Sequence, residues 1–263
     1  MFDFHTDKGR YFLMQKEVAS DYIISYLKDL GIGNEKMHVL EIGCAEAGVL
    51  SAFLDEGHTG VGIELSEGRV KLAQQFLKEE ISNGQVEIVQ KNIYDIDPDK
   101  DLDRKFDLII LKDVIEHIPE QERFIPALRK FLNPGGKVFF AFPPWYMPFG
   151  GHQQLCKSRV LGKLPWFHLM PMKAYLAFLK MMGEPDNKIE GLKEIKETGI
   201  SIERMVKLSK ISDYKIIDKK YWLFNPIYKF KFNLKPRKVF TPLTFIPGVR
   251  NFYTTALYIV IGV

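Results

Sequence analysis

Cysteine is scarce in this sequence, which has only Cys44 and Cys156 among its 263 residues. Two cysteines give neither a disulfide framework nor the paired spacing of a metal site, and this is typical of a reducing compartment. The chain also lacks an apolar run long enough to span a bilayer. Its first residues, MFDFHTDKGRYF, lack the apolar core of a signal peptide. These absences predict a soluble, cytoplasmic protein.

A large charge excess is missing as well. The 37 Lys and Arg residues stand against 33 Asp and Glu residues, a net charge of +4, whereas a nucleic-acid surface needs clustered cations. No DNA partner is therefore expected. The length suits one hydrophobic core with an inserted or appended elaboration. Nothing in the pattern specifies an oligomeric state.

A strand, a glycine turn and a helix follow one another at VLEIGCAEAG, residues 39–48. Residues 37–40 suit a buried strand, and Gly43 can take the positive φ of a tight turn. This is the arrangement of a nucleotide site. The turn lacks the G-x-G-x-x-G pattern of dinucleotide binders, and Glu41 before it and Glu46 in the first helical turn would repel a pyrophosphate. The two carboxylates favour a ligand with positive charge.

The second strand, GVGIE, ends in another acidic residue, Glu64. About twenty residues separate Gly43 from Glu64, which is the interval at which an acidic residue binds a ribose in dinucleotide-type folds. The spacing is a second, independent indication of a nucleoside ligand.

Strands and helices alternate along the chain, which predicts a doubly wound α/β sheet. Further strands are predicted at residues 85–90, 106–111, 137–142, 214–222 and 252–263. Helices are predicted at residues 11–30, 66–81, 120–132, 171–182 and 202–211, with a charged connector at 184–197 and a structureless loop at 223–251. The predicted units are an N-terminal helical cover (1–36), an α/β core (37–142), an inserted lid (143–199) and a C-terminal helix with the terminal strands (200–263).

With these segments assembled, the chain resembles the class I S-adenosylmethionine-dependent methyltransferases of the DVxEH type. The matching stretches, across roughly residues 37–144, are VLEIGCAEAG, GIELS, VQKNIYDI, FDLIILKDVIEHIPE and LRKFLNPGGKVFFAFP. The resemblance implies a seven-stranded Rossmann-like sheet, mostly parallel with an antiparallel last strand, and S-adenosylmethionine as the cofactor. The cofactor-binding residues that it implies are Glu41, Gly43, Cys44, Ala45, Gly48, Glu64, Leu65, Asn92, Ile93, Lys112 and Asp113.

One departure from the family pattern lies in the glycine turn. Ala45 and Ala47 stand where the family usually has glycines. Because alanine disfavours positive φ, we expect the path of the loop after Cys44 to differ slightly without loss of binding.

Two histidines are candidates for catalysis. His117 lies in the DVIEH segment after the fourth strand, and His152 follows two glycines after the fifth strand, where an acceptor must approach the methyl group. Some relatives bind a divalent metal at the position of Asp113, Glu116 and His117, but no metal is expected here. Trp145 and Tyr146 are expected, with His152, to contact the substrate, although aromatic residues of this segment also suit a lid core.

A basic tract runs from Lys215 to Arg250 and is interleaved with aromatic residues. A solvated loop is the simplest interpretation. An anionic membrane surface, a negatively charged substrate and RNA are the alternatives.

The sequence thus predicts methyl transfer from S-adenosylmethionine to a small-molecule or lipid-like acceptor. An NAD(P)-dependent oxidoreductase is one alternative, favoured only by the general fold. A non-catalytic protein that keeps the fold and binds membranes or RNA is the other.

Overall fold

A computed structural model describes residues 7–263; the first six residues of the predicted helical cover, which also begin the segment without signal-peptide character, lie outside this range. In the described part the strands form one sheet of eight, in the order β3-β2-β1-β4-β5-β8-β6-β7. The strands are β1 (His38–Ile42), β2 (Thr59–Glu64), β3 (Val86–Gln90), β4 (Phe106–Lys112), β5 (Leu132–Phe142), β6 (Lys215–Phe224), β7 (Arg237–Lys238) and β8 (Ala256–Gly262).

The sheet is mostly parallel, as predicted. Strands β1 to β5 pair in parallel, and β8 lies antiparallel between β5 and β6. The predicted doubly wound fold with an antiparallel last strand is confirmed. The count of seven was one short, because the two-residue β7 pairs with the end of β6 and is too short to leave a pattern in sequence.

Helices cover both faces of the sheet, and a separate apolar cluster lies between the sheet and the helices on each face. Two starts are fixed by side-chain caps: Asp7 accepts a hydrogen bond from Arg10 N, and Ser201 accepts one from Arg204 N. None of the helices in residues 7–263 is both long and apolar enough to cross a bilayer. They are α1 (Lys8–Val18), α2 (Ser25–Asp29), α3 (Gly48–Asp55), α4 (Glu67–Phe76), α5 (Lys78–Ser82), α6 (Gln121–Ala127), α7 (Met172–Met181), α8 (Asp186–Thr198), α9 (Ile202–Ile211), α10 (Ile227–Phe232), α11 (Thr241–Thr244) and α12 (Val249–Tyr253).

Several predicted boundaries in the core were wrong. The first helix begins at Lys8 and contains a π-helical stretch, Ala19–Ile24, between α1 and α2. The helix predicted at 66–81 is interrupted at Leu77. The NPGG segment does not separate a helix from a strand. It lies inside β5 as a bulge, where the pairing with β4 jumps by several residues on one strand.

The lid contains a helix that the sequence prediction missed. Residues 184–197 were taken as a charged connector, but α8 spans most of them and buries Ile189, Leu192 and Ile195. These side chains recur every three residues, so they form one apolar stripe on an otherwise charged helix. Ile189 and Leu192 pack with residues of α7 in a separate lid core.

The link between β6 and β8 is structured, which corrects the prediction of a structureless loop at 223–251. It contains α10, β7, α11 and α12. The last strand begins at Ala256 rather than at residue 252, because α12 continues to Tyr253.

Candidate functional site

A cleft of about 730 Å³ opens at the carboxyl ends of β1, β2 and β4, beneath α1. In open α/β sheets this edge is where ligands bind. All the cofactor-binding residues implied by the resemblance line it, together with His117 and His152. Residues that sequence reasoning did not single out also line it: Lys8, Tyr11, Phe12, Gln15, Arg69, Lys91, Val114, Ile118, Gln154 and Leu155.

The turn after β1 keeps its left-handed path despite the two alanines. Gly43, Ala45 and Ala47 have φ of 70°, 51° and 63°, a conformation that costs an alanine about 1–2 kcal/mol. The two alanines therefore place backbone strain in the turn. A Cβ on Gly43 would lie 2.6 Å from Val114 Cγ2, so glycine is required there by space as well as by φ.

Glu41 is buried at the end of β1. Its Oε2 accepts a hydrogen bond from Leu50 N of α3 at 2.9 Å. Burial raises the pKa of Glu41 to about 8, opposed by that hydrogen bond and by Lys112. The side chain therefore keeps its proton at neutral pH in the free protein.

Glu64 ties the end of β2 to the turn. Its Oε2 accepts from Ala45 N at 3.0 Å, and its Oε1 accepts from Leu65 N and Ser66 N at 2.9 Å. A guanidinium nitrogen of Arg69 lies 4.0 Å from Oε2. The carboxylate is thus anchored by backbone donors at the edge of the cleft.

Glu46 precedes α3, which begins at Gly48, and so does not lie in the first helical turn as predicted. It is buried and pairs with Lys8 of α1 at 2.9 Å. A Cβ on Gly48 would lie 2.5 Å from the carbonyl oxygen of Phe12. Gly48 therefore allows α1 to pack closely against α3.

Lys112 and Asp113 form an ion pair at the end of β4. Burial opposes ionisation of both groups, but their mutual attraction outweighs it, so the pKa of Lys112 is raised and that of Asp113 is lowered. Lys231 of α10 also faces Asp113. Burial lowers the pKa of Lys231 to about 8, and the charge of Asp113 opposes this. Sequence reasoning had assigned Lys231 to the solvated basic tract.

Asn92 follows β3 at the outer end of the cleft and is exposed. Its side-chain oxygen accepts from Tyr94 N at 3.1 Å and so caps the short 3-10 helix that includes Ile93. The side-chain oxygen thus has the capping role that a polar residue at a strand exit commonly has.

The two candidate histidines are neighbours. The ring centroids of His117 and His152 are 4.9 Å apart. Burial lowers the pKa of His152 to about 4, with the charge of His117 as the second cause, so His152 is neutral at physiological pH and is a weaker base than an ordinary histidine.

Glu116 lies beside this pair. Its carboxylate is buried, and neither oxygen has a hydrogen-bond partner among residues 7–263. Burial raises the pKa of Glu116 well above its usual value, and Asp113 adds to the effect. Potential ligand atoms of Glu116, His117 and His152 lie within 4.8 Å of one another. One carboxylate and two imidazoles are side chains that can bind a divalent cation.

Trp145 and Tyr146 do not line the cleft. Trp145 packs edge-on against His168 and under the ammonium of Lys196. Tyr146 contacts the ring of Phe252, with centroids 5.8 Å apart. Trp145 therefore packs within the lid, and Tyr146 connects the lid to α12.

Comparison with known proteins agrees with this geometry. A family model described as a methyltransferase domain matches residues 14–166. Since this range covers more than half of the chain, the protein belongs to the methyltransferase domain family. The family and fold predicted from the motifs are confirmed.

Curated relatives match over a shorter range. A ubiquinone biosynthesis O-methyltransferase of Coxiella burnetii is 27% identical over 109 residues, which are 40% of this chain and 42% of the relative. The corresponding protein of Pseudomonas syringae is 31% identical over 104 residues, or 39% and 43% of the two chains. The match thus spans about two fifths of the length of these relatives.

A solved structure is similar over almost the whole chain. The S-adenosylmethionine-dependent methyltransferase of Clostridium acetobutylicum aligns with a TM-score of 0.58 at 14% identity, covering 94% of this chain and 92% of the other. At this identity the likeness establishes the fold.

Proposed function

We propose that the cleft binds S-adenosylmethionine and that the protein transfers its methyl group to an oxygen of a small-molecule or lipid-like acceptor. The observation that carries the proposal is a cleft that holds two neighbouring imidazoles, those of His117 and His152, together with the carboxylates of Glu46 and Glu64. The first feature suits deprotonation of a hydroxyl group, and the second suits a cationic nucleoside.

The donor set around the turn fits this cofactor. Glu46 and Glu64 lie beside the turn between β1 and α3, which suits the ammonium and sulfonium of S-adenosylmethionine and disfavours a pyrophosphate. Glu64 would hold the ribose hydroxyls, with the adenine near Asn92 and Ile93. When bound, the cofactor supplies a methyl group on a strongly electrophilic sulfonium.

The chain's own task is alignment and proton removal. A hydroxyl acceptor loses its proton as the new carbon–oxygen bond forms, and we assign that proton to the imidazole of His152. The short distance from His152 to His117 keeps both rings at one place in the cleft, so a bound hydroxyl reaches a base in either orientation. The choice of oxygen is supported by the curated relatives, which are named for O-methylation in ubiquinone biosynthesis.

Calorimetry with S-adenosylmethionine and its demethylated product tests the cofactor assignment. Binding of both is expected, and no binding of either at millimolar concentration would sink the proposal. Glu64→Ala should weaken binding at least tenfold, whereas Glu87→Ala, on the exposed part of β3, should not.

Incubation with radiolabelled methyl donor and fractionated extract tests the acceptor class. Label is expected in the small-molecule or lipid fraction, as a methyl ether. His152→Gln should lower kcat by about 10²-fold or more without changing cofactor affinity. The control is His38→Gln, at the opposite end of β1. Loss of activity with EDTA, restored by a divalent cation, would instead assign Glu116, His117 and His152 to a metal.

Family membership argues against the oxidoreductase alternative. Vesicle or RNA binding without methyl transfer to any fraction would favour the non-catalytic alternative.

A further inference from the structure

A cluster of large apolar side chains is exposed on the segment between β7 and β8. We name residues 240–253, which include α11 and α12, the apolar segment. Phe245 and Phe240 are 76% and 71% exposed. Single exposed apolar residues are ordinary, but a contiguous group indicates a contact surface. The exposed members of the group are Phe240, Phe245, Ile246, Val249, Phe252 and Tyr253.

The apolar segment is held firmly, so the exposure does not result from a loose loop. Glu203 of α9 accepts hydrogen bonds from Gly248 N at 2.9 Å and from Arg250 Nε at 3.0 Å. Asn251 is fully buried, donates to Glu203, and accepts from Ile202 N at 2.9 Å. The polar side chains turn inward to α9 while the apolar ones turn to the surface.

Unpaired cations lie beside the apolar segment. A groove of about 630 Å³ runs between α9, β6 and the apolar segment, and Phe245 lines it together with four lysines. Among the described residues, no carboxylate oxygen lies within 4.0 Å of the ammonium of any of these lysines. The four are Lys210, Lys219, Lys220 and Lys238, and the ammonium of Lys220 lies over the ring of Tyr26, 4.2 Å from its centroid.

The other charged residues that line the groove do not neutralise the positive charge of the four lysines. Among residues 7–263, Asp218 is the only acidic residue that lines the groove, and it accepts a hydrogen bond from Tyr26 at 2.7 Å. Arg250 is already paired with Glu203. Burial and the neighbouring Lys210 and Arg250 lower the pKa of Lys219, as expected for cations without a counterion.

We propose that this face docks on the surface of an anionic lipid bilayer. Phe240, Phe245 and Ile246 enter the boundary between headgroups and acyl chains, and the lysines of the groove face the anionic headgroups. Aliphatic residues favour this partner over RNA, because Ile246 and Val249 cannot stack on bases as aromatic rings do.

Docking would also reach the lid. Phe252 of the apolar segment contacts Tyr146, which lies on the lid directly after β5. A lipid-like acceptor could thus approach the cleft from the bilayer. That consequence rests on the proposed function, whereas the docking itself does not.

Co-sedimentation with vesicles tests the proposal without any assay of methyl transfer. The full chain is expected to bind vesicles of phosphatidylcholine and phosphatidylglycerol at least tenfold more tightly than phosphatidylcholine alone, and less tightly as salt increases. Lys210→Gln with Lys238→Gln should weaken binding about 25-fold, at roughly fivefold for each lysine. The matched control, Lys78→Gln with Lys130→Gln, should leave binding unchanged.

The apolar contribution is tested separately. Phe245→Ser with Ile246→Ser should weaken binding to anionic vesicles at least tenfold, while Met181→Ser, an equally exposed site on α7, should not. In the Phe245→Trp variant, tryptophan fluorescence should shift to the blue on anionic vesicles, and brominated lipid should quench it. Absence of both changes overturns the proposal.

Two other occupants give different results. Binding to homopolymer RNA but not to vesicles, unchanged by Phe245→Ser with Ile246→Ser, would overturn the proposal in favour of RNA. Concentration-dependent dimers that this variant abolishes, without vesicle binding, would identify the face as a contact between copies of the chain.

Discussion

Replacing Glu41 by glutamine should change how the stability of the free protein depends on pH. The folded-state pKa of Glu41, about 8, lies above its ordinary value of 4.5. Between these values the folded chain keeps a proton that the unfolded chain releases. The contribution of Glu41 to stability is therefore fully present below about pH 4.5 and is lost as the pH rises through 8.

The size of the effect follows from this window. Between pH 5 and pH 8 the wild-type chain should lose about 3 kcal/mol of unfolding free energy through Glu41, at 1.36 kcal/mol for each pKa unit. Glutamine keeps an acceptor for Leu50 N and cannot ionise. Glu41→Gln should therefore match the wild type at pH 5 and exceed its stability by about 3 kcal/mol at pH 8.

Urea unfolding at several pH values and constant ionic strength measures this difference. Glu116, whose pKa is also raised, contributes equally to both chains and cancels. Glu67→Gln, on the exposed face of α4, is the control and should follow the wild type. If Glu41→Gln had the same pH slope as the wild type, the assignment of the retained proton to Glu41 would be refuted.

Three further changes test the turn and the cleft by urea unfolding. Gly43→Ala should lower the unfolding free energy by at least 2 kcal/mol, because the new Cβ would both disfavour the positive φ and clash with Val114. Gly31→Ala should lower it by only about 1 kcal/mol, because Gly31 also has a positive φ, 76°, but has open space around it. Equal losses in the two variants would contradict the steric argument. Ala45→Val should destabilise by about 2 kcal/mol, because a β-branched residue resists positive φ, while Ala45→Gly should be nearly neutral; a neutral Val variant would count against the left-handed turn. The pKa of Lys231, about 8 against an ordinary 10.5, means that its charge costs stability at pH 7 and that the cost disappears as the pH rises from 8 to 10.5. Lys231→Met should thus gain about 3 kcal/mol at pH 7 and about 1 kcal/mol at pH 9.5; a gain independent of pH would refute this.

Local sequence patterns were enough to predict the sheet and the part of the site at the ends of β1 and β2. The spacing from Gly43 to Glu64 placed both at the cleft because parallel strands end at one edge of a sheet. Helix α9 has the predicted bounds, Ile202–Ile211, because Ser201 caps it and its apolar residues recur at helical spacing.

Contacts between distant segments could not be predicted in this way. Lys231 reaches Asp113 only because α10 packs on α1, and Lys8 reaches Glu46 only because α1 lies over α3. Neither pair leaves a spacing in the sequence. The stripe of α8 was present in the sequence, but its many charged residues concealed it.

The hydrogen bonds of Glu64 affect how the proposed function should be tested. Glu64 accepts from three backbone nitrogens, including Ala45 N in the strained turn. Glu64→Ala therefore removes both the proposed ribose contact and the anchor of that turn. Glu64→Gln retains one oxygen acceptor and the shape of the side chain. If the ribose assignment is correct, Glu64→Gln should weaken cofactor binding while the unfolding free energy falls less than in Glu64→Ala. A loss of binding that follows the loss of stability in both variants would instead assign Glu64 to the turn alone.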